Sequence, residues 1–149
     1  MSLQTRVMDA MKTAMKSKDQ NALTSLRAVK SEILKAQTET GSKKELSEDE
    51  ELKLLQKLVK QRKDSAAIYN EKGREELAQD ELDQARVIEG FLPEQMSEEE
   101  IETEVEAIIA ETGASSMKDM GKVMGLASQR LAGKADGKTI SGIVKKKLA

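Results

Sequence analysis

The chain has 149 residues and a formal net charge of −2, and it contains no cysteine and no histidine. Disulfides are therefore excluded, and zinc, iron–sulfur and haem sites lose their commonest ligands. General acid–base catalysis also loses the side chain whose pKa best matches neutral pH.

The composition predicts an all-α fold. Aromatic residues are limited to Tyr69 and Phe91, so the core must be built from aliphatic side chains and methionine, which suits helix packing. The charged fraction is 35% and there is a single proline, as in helical proteins with long solvated faces. No apolar run approaches the roughly 20 residues of a membrane span, and the first residues lack the apolar region of a signal peptide. We expect a cytoplasmic protein with no membrane partner.

Two apolar stripes at helical spacing open the chain. The first predicts a helix over residues 3–16, and the second predicts a helix that ends near Glu39. Residues 16–20 interrupt the pattern, and Asp19 is suited to cap the second helix. A polar loop is predicted at residues 41–46.

The third and fourth helices follow this loop. Ser47 and Glu50 fit a capping box that starts the third helix, and Gly73 is suited to end it. Arg62 falls on the apolar seam of this helix; its stem either lies along the core edge with the charge in water, or the guanidinium binds a ligand. The fourth helix is predicted over 75–92, because Pro93 disfavours helical geometry at the residue before it. Four helices with short connections predict an antiparallel bundle over residues 1–92.

Residues 93–149 are predicted to form a second, three-helix domain. Ser97 and Glu100 form another capping box, with Met96 packing on Ile101 as a hydrophobic staple, and Gly113 is suited to end helix five. Residues 93–111 contain eight glutamates and no basic residue. We interpret them as a solvated acidic face, because consecutive glutamates lie on different sides of a helix and cannot converge on one metal ion.

Helices six and seven are predicted in the last third of the chain. Ser116 and Asp119 have the spacing of a cap for helix six, whose apolar seam is Met117, Met120, Met124, Ala127 and Leu131. Gly133 is predicted to end it, and Asp136-Gly137 to make the turn into helix seven. No catalytic constellation emerges, because a helix cap explains Ser115 and Ser116 more simply than a nucleophile does.

The last third also differs from the rest in charge and in glycine content. Residues 113–149 contain eight basic and two acidic residues, a net charge of +6, and six of the nine glycines. Gly121 and Gly125 lie four apart on one side of helix six. They serve tight packing against helix five or seven, a bare surface for a sugar–phosphate backbone beside Lys122, or both. The Gly133–Lys138 turn is either a connector or a phosphate cradle. Without aromatic residues for base stacking, recognition of shape or backbone is favoured.

Several motifs in order resemble the GatB/YqeY family. They are Phe91-Leu-Pro-Glu-Gln95, Met96-Ser-Glu-Glu-Glu-Ile101, the segment Gly113–Gly125, and Gly133-Lys-Ala-Asp-Gly137. The chain resembles the free-standing YqeY-like proteins over nearly its whole length, and its last part resembles the C-terminal tail of the B subunit of the tRNA-dependent amidotransferase. The resemblance implies a four-helix and a three-helix bundle, and tRNA as the partner. Carried over by position, the candidate contacts are Lys118, Gly121, Lys122, Gly125, Arg130, Lys134 and Lys138; Lys145 and Lys146 join them on charge alone.

The sequence thus predicts a non-catalytic module that binds tRNA or another structured RNA and needs no cofactor and no metal. The chain lacks the catalytic cradle of the amidotransferase B subunit, so the chemistry of that family is not assigned to it alone. Two alternatives stay open. One is a component of a glutamine-dependent carbon–nitrogen ligase that acts with amidotransferase or aminoacyl-tRNA machinery, and the other is a protein–protein adaptor that docks by helix six.

Overall fold

The computed structural model describes residues 2–39 and 45–149, and these residues form seven α-helices and one short 3-10 turn, with no β-strand among them. The predicted all-α class is therefore confirmed. The helices are α1 (Leu3–Ser17), α2 (Gln20–Glu39), α3 (Glu48–Glu71), α4 (Glu75–Glu89), α5 (Glu98–Thr112), α6 (Met120–Arg130) and α7 (Gly137–Leu148). Most of the polar loop predicted at 41–46 lies outside the described residues.

The chain divides into two compact units, Met1–Leu92 and Pro93–Ala149. In the first unit, α1 packs on α2, α3 packs on α4, and α2 packs on α4. Two hydrogen bonds show which parts of the helices lie next to each other. The Leu3 N–H donates to Glu51 Oε2 at 3.0 Å, so α1 and α3 begin at the same end. Gln84 Nε2 donates to Asn21 Oδ1 at 2.8 Å, which joins the start of α2 to α4.

The core of the first unit is aliphatic. Val7, Val29 and Ile88 are completely buried, and leucines and alanines of all four helices surround them. Arg6 of α1 reaches the end of α4, where Nη2 donates to the Phe91 carbonyl at 2.9 Å and the guanidinium lies 5.4 Å from the Phe91 ring centre. The Arg6 contact therefore fixes the segment that follows α4 against α1.

Local chemistry confirms most of the predicted helix ends. The side chain of Asp19 accepts a hydrogen bond from the Ala22 N–H at 3.0 Å and caps α2. Both capping boxes form, at Ser47 with Glu50 and at Ser97 with Glu100. Gly73 and Gly113 follow helix ends with φ of +71° and +69°, a conformation that glycine adopts without steric cost.

Helix four is shorter than predicted. It ends at Glu89 instead of residue 92, because the chain tightens into a turn before the proline. The Phe91 N–H donates to the Ile88 carbonyl at 3.0 Å and the Leu92 N–H donates to the Glu89 carbonyl at 2.9 Å, which are three-residue rather than four-residue bonds.

In the second unit, α5, α6 and α7 pack on one another around a separate aliphatic core. Val105, Ile108, Val123 and Val144 are completely buried there. Met96 packs on this core ahead of α5, in agreement with the predicted staple. Each helix therefore contributes one apolar stripe and leaves its opposite side outside the core.

The start of helix six was predicted wrongly. Residues Met117–Asp119 form a 3-10 turn capped by Ser116, and α6 begins only at Met120. Three residues per turn place Met117 out of register with the α6 stripe, and its side chain is 46% exposed. Val123, which the predicted seam omitted, is buried in its stead.

The predicted turn at Asp136-Gly137 is also wrong. Gly137 is the first residue of α7, and Asp136 is its N-cap. The Asp136 carboxylate accepts hydrogen bonds from the Lys138 N–H and from the Thr139 hydroxyl, each at 2.8 Å. The change of direction between α6 and α7 occurs earlier, around Gly133, whose φ is +75°.

Candidate functional site

The outer side of α6 is a bare glycine surface. Gly121 and Gly125 are exposed, and a Cβ atom added at either one would meet no atom of another described residue within 4 Å. The interpretation that these glycines serve tight helix packing is therefore wrong. Lys122 lies between them in sequence and is exposed.

The outer side of α7 repeats this pattern. Ile140, Val144 and Leu148 face the core at four-residue spacing. Lys138, Gly142 and Lys145 recur at four and three residues on the opposite side and are exposed. Because α6 and α7 are adjacent helices, we give one name, the lysine–glycine face, to nine exposed residues of these helices, of the 3-10 turn before α6 and of the loop between the two helices. They are Lys118, Gly121, Lys122, Gly125, Lys134, Lys138, Gly142, Lys145 and Lys146.

Two other cations of this unit point toward α5. The Arg130 guanidinium donates two hydrogen bonds to the Glu111 carboxylate, one of them at 3.1 Å from Nη1 to Oε1. Lys147 Nζ lies 2.6 Å from Glu102 Oε1 and 2.7 Å from Glu106 Oε1. Of the predicted contact residues, Arg130 thus has its charge balanced within the protein.

The other predicted lysines form no ion pair within the described part of the chain. They are all exposed: Lys118, Lys122, Lys134, Lys138, Lys145 and Lys146. Lys146 lies close enough to Glu102 to contribute to the lowering of its pKa, after the hydrogen bond and charge of Lys147. Glutamates of α5 therefore form ion pairs with two cations, and Glu102 also partly balances Lys146. The other five lysines form no ion pair with the described residues.

The Gly133–Lys138 turn is tied into the protein. Gln95 Nε2 donates to the Gly133 carbonyl at 2.7 Å, and the Met96 N–H donates to the Lys134 carbonyl at 2.9 Å. The N-terminus of α7 already holds the Asp136 carboxylate, which repels a phosphate at that position. These contacts favour the connector interpretation over the phosphate cradle. The Lys134 side chain is nevertheless exposed.

The ion pairs with α5 were missed by the sequence analysis, which treated the glutamates of 93–111 only as a solvated face. A signal was present, because Glu102 and Glu106 are four residues apart and lie on one side of a helix. That spacing can hold one lysine between two carboxylates. Which lysine fills the position depends on how α7 packs on α5.

The ion pair between Arg130 and Glu111 is expected to affect the acid titration of Glu111. The hydrogen bond from Arg130 lowers the pKa of Glu111 below its ordinary value of 4.5. Because the folded-state pKa is the lower one, the pair stabilises the fold above that ordinary pKa, and this contribution is lost as the pH falls through the lowered value. We expect Arg130→Gln to return the pKa of Glu111 to its ordinary range, as measured by carboxyl NMR titration. The pKa of Glu102, which is lowered first by the hydrogen bond from Lys147, serves as the control and is expected not to change.

No group of three or more acidic side chains in the described ranges is arranged to hold a metal ion. None of the helices formed by residues 2–39 and 45–149 is long and apolar enough to cross a membrane.

Fold and surface together define an all-α protein of two compact units, whose second unit presents lysines and bare glycines on the outer side of adjacent helices. Residues 4–148 match the family model described as Yqey-like protein. The match covers nearly the whole chain, and the chain therefore belongs to the Yqey-like family. A search of curated proteins finds no match.

Proposed function

We propose that the second unit binds structured RNA, most specifically tRNA, through the lysine–glycine face. The observation that carries the proposal is the division of the cations. Arg130 and Lys147 are neutralised by glutamates of α5, whereas six lysines of the same unit form no ion pair with the described residues. A surface of unbalanced positive charge attracts a polyanion and gains free energy from released counterions.

The bare glycines explain how a nucleic acid backbone reaches this surface. Each glycine on α6 removes a side chain from the outer side of the helix, and no neighbouring atom fills the space. A sugar–phosphate strand can therefore approach the helix backbone closely, while Lys118 and Lys122 contact phosphates on either side. The paired residues Arg130 and Lys147 hold α6 and α7 on α5 and contribute little direct contact.

The type of RNA follows from what the face lacks. The second unit, residues 93–149, contains no aromatic residue, so unpaired bases find no aromatic ring to stack on. Recognition through phosphates and helix shape remains, and folded RNA presents both. The resemblance to the tail of the amidotransferase B subunit favours tRNA among folded RNAs. In a complex of the amidotransferase type, this protein would hold the tRNA and partner subunits would perform any amidation.

A salt titration of tRNA binding tests the proposal. We expect the logarithm of the association constant to fall linearly with the logarithm of salt concentration, by roughly 0.7 to 0.9 per lysine–phosphate contact. Four contacts then give a slope of roughly −3. The measurement is fluorescence anisotropy of a labelled tRNA transcript.

Two results would count against RNA binding. Absence of binding at low salt removes the proposal. Binding that does not depend on salt favours the adaptor alternative, in which the lysines serve solubility and α6 docks on a protein.

A further inference from the structure

The first unit contains an arginine within its apolar stripe. Arg62 of α3 lies one helical turn from Val59 and from Ala66, and both of these are buried. Its own side chain is half-buried. An aliphatic residue is expected at such a position, so the guanidinium replaces apolar packing with a charge.

A glutamate occupies the equivalent position on the facing helix. Glu81 of α4 lies one turn from Ala78 and from Ala85, which are both buried. It is also half-buried. Because α3 and α4 pack on each other, both helices turn one charged residue toward their shared surface.

Neither charge is balanced by a group of the described residues. Arg62 and Glu81 form no ion pair with each other, and neither side chain has a hydrogen-bond partner among residues 2–39 and 45–149. The Nε atom of Arg62 is buried and has no hydrogen-bond partner in the described part of the chain. A buried donor without a partner destabilises a fold, so Arg62 lowers stability at this position.

Both side chains line one cleft. It is an open surface depression of about 480 Å³, and the described residues that line it are all polar, namely Gln61, Arg62, Asp64, Ser65, Glu81 and Gln84. Two of these already have partners. Asp64 accepts from Lys60 Nζ at 3.0 Å, and Gln84 donates to Asn21. Arg62 and Glu81 therefore remain as one positive and one negative group with unused hydrogen-bonding capacity.

We propose that this cleft binds a small zwitterion of the α-amino acid class, with its carboxylate on Arg62 and its ammonium group on Glu81. A guanidinium donates paired hydrogen bonds to a carboxylate, and a carboxylate accepts from an ammonium group. A ligand with both charges neutralises both residues. A ligand with one charge leaves the other residue unbalanced. The site is independent of RNA binding, because it lies in the first unit.

NMR titration tests the site directly. Glycine, L-serine and L-glutamine are added to the ¹⁵N-labelled full-length protein. Two analogues of L-serine are added in parallel: ethanolamine, which lacks the carboxylate, and 3-hydroxypropionate, which lacks the ammonium group. We expect saturable shifts of the Ser65, Glu81 and Gln84 amide signals with at least one zwitterion. For L-serine, each single-charge analogue is expected to bind at least about tenfold more weakly. Shifts from none of the three zwitterions, or equal binding of the analogues, overturn the proposal.

Variants separate the site from general effects on folding. Arg62→Met and Glu81→Gln are each expected to weaken zwitterion binding by at least about tenfold. Arg86→Met is the matched control, because Arg86 lies on α4 with a side chain that is 77% exposed, and it is expected to bind as the wild type does. Arg62→Met removes an unpartnered buried donor, so its thermal midpoint is expected to equal or exceed that of the wild type. Unchanged binding by a folded Arg62→Met protein overturns the proposal.

Discussion

Reversing two charges of the second unit, Lys122→Glu with Lys134→Glu, is expected to lower the affinity for tRNA by at least about tenfold at low salt. Both side chains are exposed and form no ion pair with the described residues, so the change removes two attractions to phosphate and adds two repulsions. The free energy of unfolding is expected to change by less than about 0.5 kcal/mol, as for most exposed substitutions. Anisotropy with labelled tRNA and thermal unfolding followed by circular dichroism measure the two quantities.

The control for this experiment changes the net charge equally on the other unit. Lys12 and Lys16 of α1 are exposed and also form no ion pair with the described residues. Lys12→Glu with Lys16→Glu is expected to weaken tRNA binding only slightly, through the long-range field. If both double variants lose affinity equally, then binding follows total charge and the lysine–glycine face is not the site.

Helix ends set by neighbouring residues were predictable from the sequence. The caps at Asp19, Ser47 and Ser97 each depend on a side chain that reaches a backbone N–H three residues away, so local sequence contains the whole interaction. Apolar spacing likewise placed the first helix over residues 3–16, where the structure has Leu3–Ser17, because a stripe at helical period extends over the whole helix.

The region around α6 was less predictable because several local signals compete there. Ser116 and Asp119 have the spacing of a cap, yet Ser116 accepts from the Lys118 N–H and the Asp119 carboxylate accepts from the Ser115 N–H. That arrangement closes a tighter 3-10 turn and delays the α-helix by one turn. Burial of Val123 in the core then decides which side of α6 faces inward. This packing depends on the other helices and cannot be predicted from the residues of α6 alone.

The exposure of individual basic residues could be predicted from the sequence, but their ion pairs with glutamates of α5 could not. Lys122 and Lys138 are polar residues opposite an apolar stripe, and such residues lie at the surface. Arg130 and Lys147 have the same character in sequence, yet both meet glutamates of α5 at long sequence separation. Separation of the basic residues into paired and unpaired sets is a property of how three helices pack.

The glycine pair is expected to separate stability from binding. Gly121→Gln with Gly125→Gln places two neutral side chains on the outer side of α6, where no atom lies within 4 Å of either added Cβ. Glutamine is a better helix former than glycine, so the free energy of unfolding is expected to rise by about 1 kcal/mol. Affinity for tRNA is expected to fall by at least about tenfold, because the new side chains keep a nucleic acid backbone away from the helix. Chemical denaturation and tRNA anisotropy measure these opposite changes.

Ala107→Gln with Ala110→Gln is the matched control, because both alanines are exposed on α5 of the same unit. It adds the same neutral bulk away from the lysine–glycine face and is expected to leave tRNA affinity unchanged. If the double glycine variant is more stable and binds tRNA as the wild type does, then the bare surface of α6 takes no part in binding. The glycines would then only weaken a helix that alanine would strengthen, and lysines alone would have to account for the RNA contact.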